Sequence, residues 1–292
     1  MSTELIDSHL HLWDLSSNQW YPAMQGTDAS KPFESLGDVT RMARDFLVPE
    51  LREELAAADA ELLGVVHISA ASAPRTHVDE ARWLDGLLDE LGVPAVTVGA
   101  FEATQSRAEM EADLDAQNQA GRLRGGRVLT GLDPDSAAAA DLCALLEERH
   151  LVFDMVAQPS AATEFCALLE RFPELDVALE HAGWPEATDA AAEAAWRDSL
   201  ERFAALPNVS CKLSGLGMAT HSLAAATLRP WIEGCLEAFG ADRCLFGSNF
   251  PVEAMYGTYA ELLASVHAVT DALPEAEQRA LYVDNARRLY RL

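Results

Sequence analysis

Eight short apolar runs, separated by longer amphipathic stretches, are what most limits the folds open to this chain. The runs fall at 5–12, 61–70, 93–101, 123–129, 151–157, 175–183, 208–215 and 244–252. Between them, segments rich in Ala, Leu and Glu lie near 40–59, 77–91, 106–120, 136–149, 160–171, 189–205, 222–239 and 257–269, with a last near 274–290. Runs this short read as buried strands and the longer segments as helices. Eight β units, each followed by α, predict an α/β chain folded as one (β/α)8 TIM barrel over residues 1–292. With 292 residues, 49% of them hydrophobic, the chain can bury a core of that size. A doubly wound open sheet is the alternative. It usually carries a Gly-rich phosphate loop after its first strand, where this chain has Trp13-Asp14-Leu15-Ser16. The connection 14–39 is unusually long and holds Trp20, Tyr21, Pro22, Gly26, Pro32, Phe33 and Gly37. In a barrel it rises at the C-terminal face, either covering a substrate or packing its own aromatics as a surface excursion.

Charge narrows the partners. The chain has 21 basic and 47 acidic residues, a net charge of −26. That argues against nucleic acid, which needs a basic patch, and against an anionic membrane surface. The expected partner is a small molecule; a homodimer is left open. Cys143, Cys166, Cys211, Cys235 and Cys244 are scattered and form no C-x-x-C. They read as reduced thiols of a cytoplasmic protein. The start MSTELIDSHLH shows neither the basic n-region nor the apolar h-region of a signal peptide, and no apolar stretch reaches membrane-span length.

Polar residues recur where the strands end. His9 and His11, two apart on the first run, point to one face. Two neutral imidazoles there suit a divalent metal or an anionic substrate group. His67 lies mid-run, facing either the lumen near that pair or the core. His181 stands at the end of the sixth run, and alternation puts Glu180 on the opposite face, outside a shared site. Arg124 and Arg127 face opposite sides in strict extension, although Gly125 and Gly126 could permit a bulge that turns both upward. Guanidinium grips carboxylates and carbonyls. The chain has only two lysines, Lys31 and Lys212. One inside the seventh run should meet an anionic substrate or a carboxylate such as Asp154. Asn249 closes the eighth run, Glu253 follows four residues later, and an amide cannot serve as a base. His77, His150, His221 and His267 read as surface residues.

Taken in order, Ile6-Asp7-Ser8-His9-Leu10-His11-Leu12-Trp13-Asp14, Arg124-Gly125-Gly126-Arg127, Glu180-His181-Ala182-Gly183, Asn208 to Gly215, Phe246-Gly247-Ser248-Asn249-Phe250-Pro251-Val252 and Asn285 to Tyr290 resemble the amidohydrolase superfamily. The similarity is to the branch holding 2-pyrone-4,6-dicarboxylate lactonase and L-fuconolactonase. The resemblance implies a barrel with its site at the C-terminal strand ends and hydrolysis of a lactone, or a related ester or amide, of a small carboxylated or sugar-derived molecule. It implies a reacting centre built from His9, His11 and His181 plus a strand-eight aspartate, and position 249 is instead Asn. His181 or Glu253 then stands in as base, or the chain has lost hydrolysis. A divalent metal (Zn or Mn) on His9, His11 and His181 is one expectation. Metal independence is the other, with weak or absent metal favoured because the anionic ligand is gone. In this reading Arg124, Arg127, Lys212 and Asp154 surround the substrate's oxygens, and Trp13, Trp20, Tyr21, His67 and Trp184 line its pocket. The alternatives are an amidohydrolase-type decarboxylase of a small unsaturated or aromatic acid, and a catalytically silent barrel.

Overall fold

The computed structural model describes residues 2–22, 24–25, 36–73 and 75–292. Eight strands form one parallel sheet in chain order: β1 (Thr3–Leu10), β2 (Ala60–Ile68), β3 (Ala95–Ala100), β4 (Leu123–Arg127), β5 (Val152–Met155), β6 (Val177–Leu179), β7 (Val209–Leu213) and β8 (Cys244–Phe246). The principal outer helices are α1 (Val48–Ala57), α2 (His77–Asp89), α3 (Arg107–Gln117), α4 (Ala137–Glu148), α5 (Ala162–Leu169) and α6 (Ala190–Ala204). A short α7 (Leu216–Thr220) then precedes α8 (Ala225–Phe239) and α9 (Tyr259–Thr270). This is the (β/α)8 barrel that the alternation predicts. Among the described residues, no helix is long and apolar enough to cross a membrane.

The barrel closes by different means than it propagates. Each neighbouring pair from β1–β2 to β7–β8 shares a parallel ladder. Between β1 and the end of β8 there is one bridge, Leu10 to Phe250. Around it the Asn249 N–H donates to the His9 carbonyl at 2.7 Å and the His11 N–H to the Phe250 carbonyl at 2.9 Å. Asp7, buried in the seam, accepts from the Ser248 N–H at 2.8 Å, the His9 N–H at 3.2 Å and the Tyr259 hydroxyl at 3.0 Å. Gly247 permits the approach, because a Cβ there would stand 2.7 Å from His9 Cβ.

Two local expectations need correction. The β3–β4 register does shift at Arg124, but the irregularity does not carry that side chain upward. Three residues of strand, about 10 Å, separate it from Arg127. Its Nη1 donates to the Gly121 and Leu123 carbonyls at the start of β4. His77 is buried at 5% exposure, its Nε2 bonded to Asp113 Oδ2 at 2.7 Å, so it is no surface residue.

Candidate active site

The pocket opens at the C-terminal strand ends, about 620 Å³ of space that includes its mouth. Met24, Leu36 and Met42 of the first connection, Ala70 and Ser72 after β2, Arg127 at the end of β4, Leu129 just beyond it and Met218 of α7 contribute to its wall. His11, Trp13, His181, Trp184, Asn249 and Val252 complete it. Of the candidates, the structure therefore brings His11, Trp13, Arg127, His181, Trp184 and Asn249 to one wall. Lys31, Gly26, Pro32 and Phe33 lie outside the described residues.

The floor is a cluster of imidazoles. The His9 ring centroid is 5.1 Å from that of His11 and 4.5 Å from that of His181. Burial is the main force holding all three rings well below the usual histidine pKa, and neighbouring Arg127, Lys212 or imidazoles add to it. They are neutral at pH 7 and offer lone pairs. The Ile68 carbonyl accepts from His11 Nδ1 at 2.8 Å, which leaves the lone pair on Nε2. That atom faces Asn249 Oδ1 at 3.3 Å. His181 Nδ1 bonds Ser214 Oγ at 3.0 Å, and its Nε2 lies 3.5 Å from Glu180 Oε2. Neither ring nitrogen of His9 has a hydrogen-bond partner among the described residues, although both are buried.

Glu180 is in this cluster, against the alternation argument. Strand β6 ends at Leu179, and the chain then turns with φ of +53° at His181, +54° at Ala182 and +42° at Trp184. Side chains no longer alternate there, and the neighbouring carboxylate swings to the same side. Burial raises the Glu180 pKa, and the Arg127 guanidinium, donating to both its oxygens at 3.1 and 3.3 Å, pulls it back.

The donor set fits a divalent cation. Ligand atoms of His9, Glu180 and His181 all lie within 4.8 Å of one another. On the other side of His9, a nitrogen lone pair of His11 faces an amide oxygen at 3.3 Å. That is roughly the spacing of two atoms bound to one tetrahedral ion. His9, with neither ring nitrogen hydrogen-bonded among the described residues, belongs to the first group, and its ring centroid lies 5.1 Å from that of His11.

Several candidates fall behind the wall. Lys212 and Asp154 are fully buried and paired with each other; Asp154 also accepts from the Tyr290 hydroxyl at 2.6 Å. They form a buried strut and do not line the pocket. His67 is buried, accepts from the Leu12 N–H at 3.0 Å, and is held down to about pKa 4 by burial. Tyr21 is fully buried and donates to Glu80 at 3.0 Å, while Trp20 packs on Trp83. Neither reaches the wall. Glu253 is buried behind Asn249, accepts from the Gly217 N–H at 3.2 Å, and is pushed by burial to about pKa 8. Arg124 lies at the far end of β4. Sequence reasoning missed Glu80, which gathers the Tyr21 and Ser69 hydroxyls and the Ala70 and Ala71 N–H groups behind the pocket. The signal available was a Glu one turn into α2, indistinguishable from any solvated helix residue.

Comparison with known proteins follows the same outline. The sequence model of the family described as amidohydrolase matches residues 6–292. An L-fucono-1,5-lactonase of Burkholderia multivorans is 32% identical over 308 residues, covering 98% of this chain and 96% of the relative. An uncharacterised protein of Sinorhizobium fredii is 30% identical over 301 residues, covering 99% of this chain and 98% of the relative. The crystal structure of an amidohydrolase from Burkholderia multivorans with bound zinc superposes with a TM-score of 0.81 at 30% identity, covering 99% of this chain and 100% of that one.

Proposed function

The chain belongs to the amidohydrolase family, and from that premise we propose that it opens a lactone, or a related ester or amide, of a small molecule by attack of an activated water. The observation that carries this reading is the pocket floor. Three buried neutral imidazoles and one carboxylate gather there, and neither nitrogen of the central imidazole, His9, has a hydrogen-bond partner among the described residues. The lactonase among the relatives and the zinc in the neighbouring structure support it.

His9 and His11, whose ring centroids lie 5.1 Å apart, would hold a divalent ion, and His181 beside them keeps its lone pair for a proton. Such an ion supplies Lewis acidity, polarising a carbonyl and acidifying water. Arg127 lines the pocket, and the field of its guanidinium, held in place by Glu180, favours the negative charge that develops on the carbonyl oxygen. The attacking water gives its proton to the His181–Glu180 pair, which returns it to the alkoxide released from the ring, so the product is a hydroxy acid. Asn249 orients through its amide and cannot be the base. Glu253 acts behind it, away from the substrate. Trp13 and Trp184 flank the ring.

Elemental analysis of unchelated protein, with a lactone panel assayed with and without chelator, tests the reading. We expect about one divalent ion per chain, lost in His9→Ala, and turnover abolished in His11→Ala with the fold intact. His181→Ala should cost about 10²–10⁴-fold in kcat. Full activity without metal would move the electrophilic role to Arg127. An active His11→Ala variant would overturn the site, and a metal-replete protein inert toward every lactone would favour the silent barrel.

A further inference from the structure

Among the described residues, the cations around the pocket are already paired. Arg127, the cation on the described wall, gives Nη1 to both oxygens of Glu180 and Nη2 to the Ser69 carbonyl. Lys212 is consumed by Asp154. Among the described residues, no uncompensated cation faces the cavity. A substrate carboxylate on the wall above the floor, away from an ion held by the imidazoles, would be stripped of water with no side-chain counter-charge among the described residues, which costs more than it returns.

Among the described residues, the wall above the floor is also poor in partners for hydroxyl groups. Trp13, Met24, Met42, Leu129, Trp184 and Met218 form most of it above the floor. Trp13 stacks over His11 at 6.0 Å, and Trp184 stands edge-on to His181 at 5.1 Å, so two flat rings bound the place where a reacting ring would sit. Three thioethers beyond them can repack around chains of different shape. A polyhydroxylated ring pressed on such a wall leaves hydroxyls unpaired.

We propose that the substrate is an uncharged lactone or ester carrying an alkyl or aryl substituent, its carbonyl at the imidazole floor and its apolar group against the methionines and tryptophans. This rests on the lactonase reading and deepens it. It departs from the carboxylated or sugar-derived substrate that the resemblance implies, because Arg127 and Lys212 are paired internally and Arg124 is bonded to carbonyls at the start of β4.

The test is kcat/KM over γ- and δ-lactones with substituents from methyl to hexyl, beside an aldonolactone and a carboxylated lactone of matching ring size. Each added methylene should raise kcat/KM about three- to fourfold until the pocket is full. The aldonolactone and the carboxylated lactone should lie at least about tenfold below the best alkyl compound. A flat dependence on chain length, or preference for either polar ring, overturns the proposal. Leu129→Arg, at a half-buried rim position, should shift the ratio of carboxylated to alkyl substrate by about tenfold or more; an unchanged ratio counts against it. If no lactone is turned over, the hydrolytic reading fails, and affinities of the same compounds from tryptophan fluorescence decide this inference separately. Binding that strengthens with chain length sustains it, and tighter binding of the polar rings overturns it.

Discussion

Glu253 is a carboxyl group placed where water cannot reach it. It is buried behind Asn249, with one oxygen accepting from the Gly217 N–H. Burial raises its pKa from 4.5 to about 8, the Asn249 amide and the Gly217 N–H offsetting only part of that. The folded state therefore keeps a proton that the unfolded chain releases above about pH 4.5. Where the folded state binds more protons, stability falls as pH rises. The contribution is complete below pH 4.5 and is lost progressively up to about pH 8. Thermal unfolding measured from pH 6 to 9 should show a falling Tm. Glu253→Gln, neutral throughout, should flatten part of that slope; Glu180, Asp7 and Glu80, also raised by burial, contribute to the remainder. Parallel curves for the two proteins would show that Glu253 is ionised in the fold. At this scale the sequence spoke clearly about type and poorly about partner. Asn249 could be seen to be no base. For Lys212 it offered two partners, an anionic substrate or Asp154, and the fold pairs it with Asp154.

The element scale explains the main misreading of the site. A strand carries its alternation only as far as its ladder runs, and β6 is three residues long. Beyond Leu179 the positive φ values at His181, Ala182 and Trp184 wind the chain into a tight turn, which delivers Glu180 and His181 to the same cluster. Gly215, at the end of the neighbouring β7 segment, makes room for it. Its φ is +64°, and a Cβ there would stand 2.3 Å from His181 Nδ1. Gly215→Ala should therefore cost about 1 kcal/mol or more through backbone strain alone and also displace His181 from Ser214. We expect lower resistance to urea together with a fall in kcat larger than any change in KM. Loss of stability with unaltered kcat would mean that His181 tolerates the shift and that its position is not critical. The helices, in contrast, follow their sequence signals closely. Ser106 and Thr258 cap α3 and α9 with Glu109 and Glu261 in reciprocal boxes, because capping is settled within four residues of chain.

For the whole molecule, the decisive contact is the one between the first strand and the last. Seven ladders propagate from each strand to its neighbour, but the seam relies on Asp7 reaching Ser248 and Tyr259 together with a few backbone bonds around Gly247. Asp7→Ala should lower unfolding free energy by about 2–4 kcal/mol, since it leaves buried N–H and O–H groups unpaired. Turnover should fall with it, because Asp7 also holds the His9 N–H. Asp7→Asn keeps one acceptor and should lose less. Urea midpoints equal to that of the parent would show that the seam closes without this carboxylate. By itself the sequence determined the number and order of strands and helices, the barrel, and the residue types at the strand ends. Hydrophobic period, turn chemistry and caps are read over a few neighbouring residues and need no knowledge of the rest. The tertiary structure alone decided which polar residues share the floor, which are struts, and which cations remain free. Those outcomes depend on groups as far apart in the chain as Asp7 and Ser248, Arg127 and Glu180, or Asp154 and Lys212, and on burial that no local window contains.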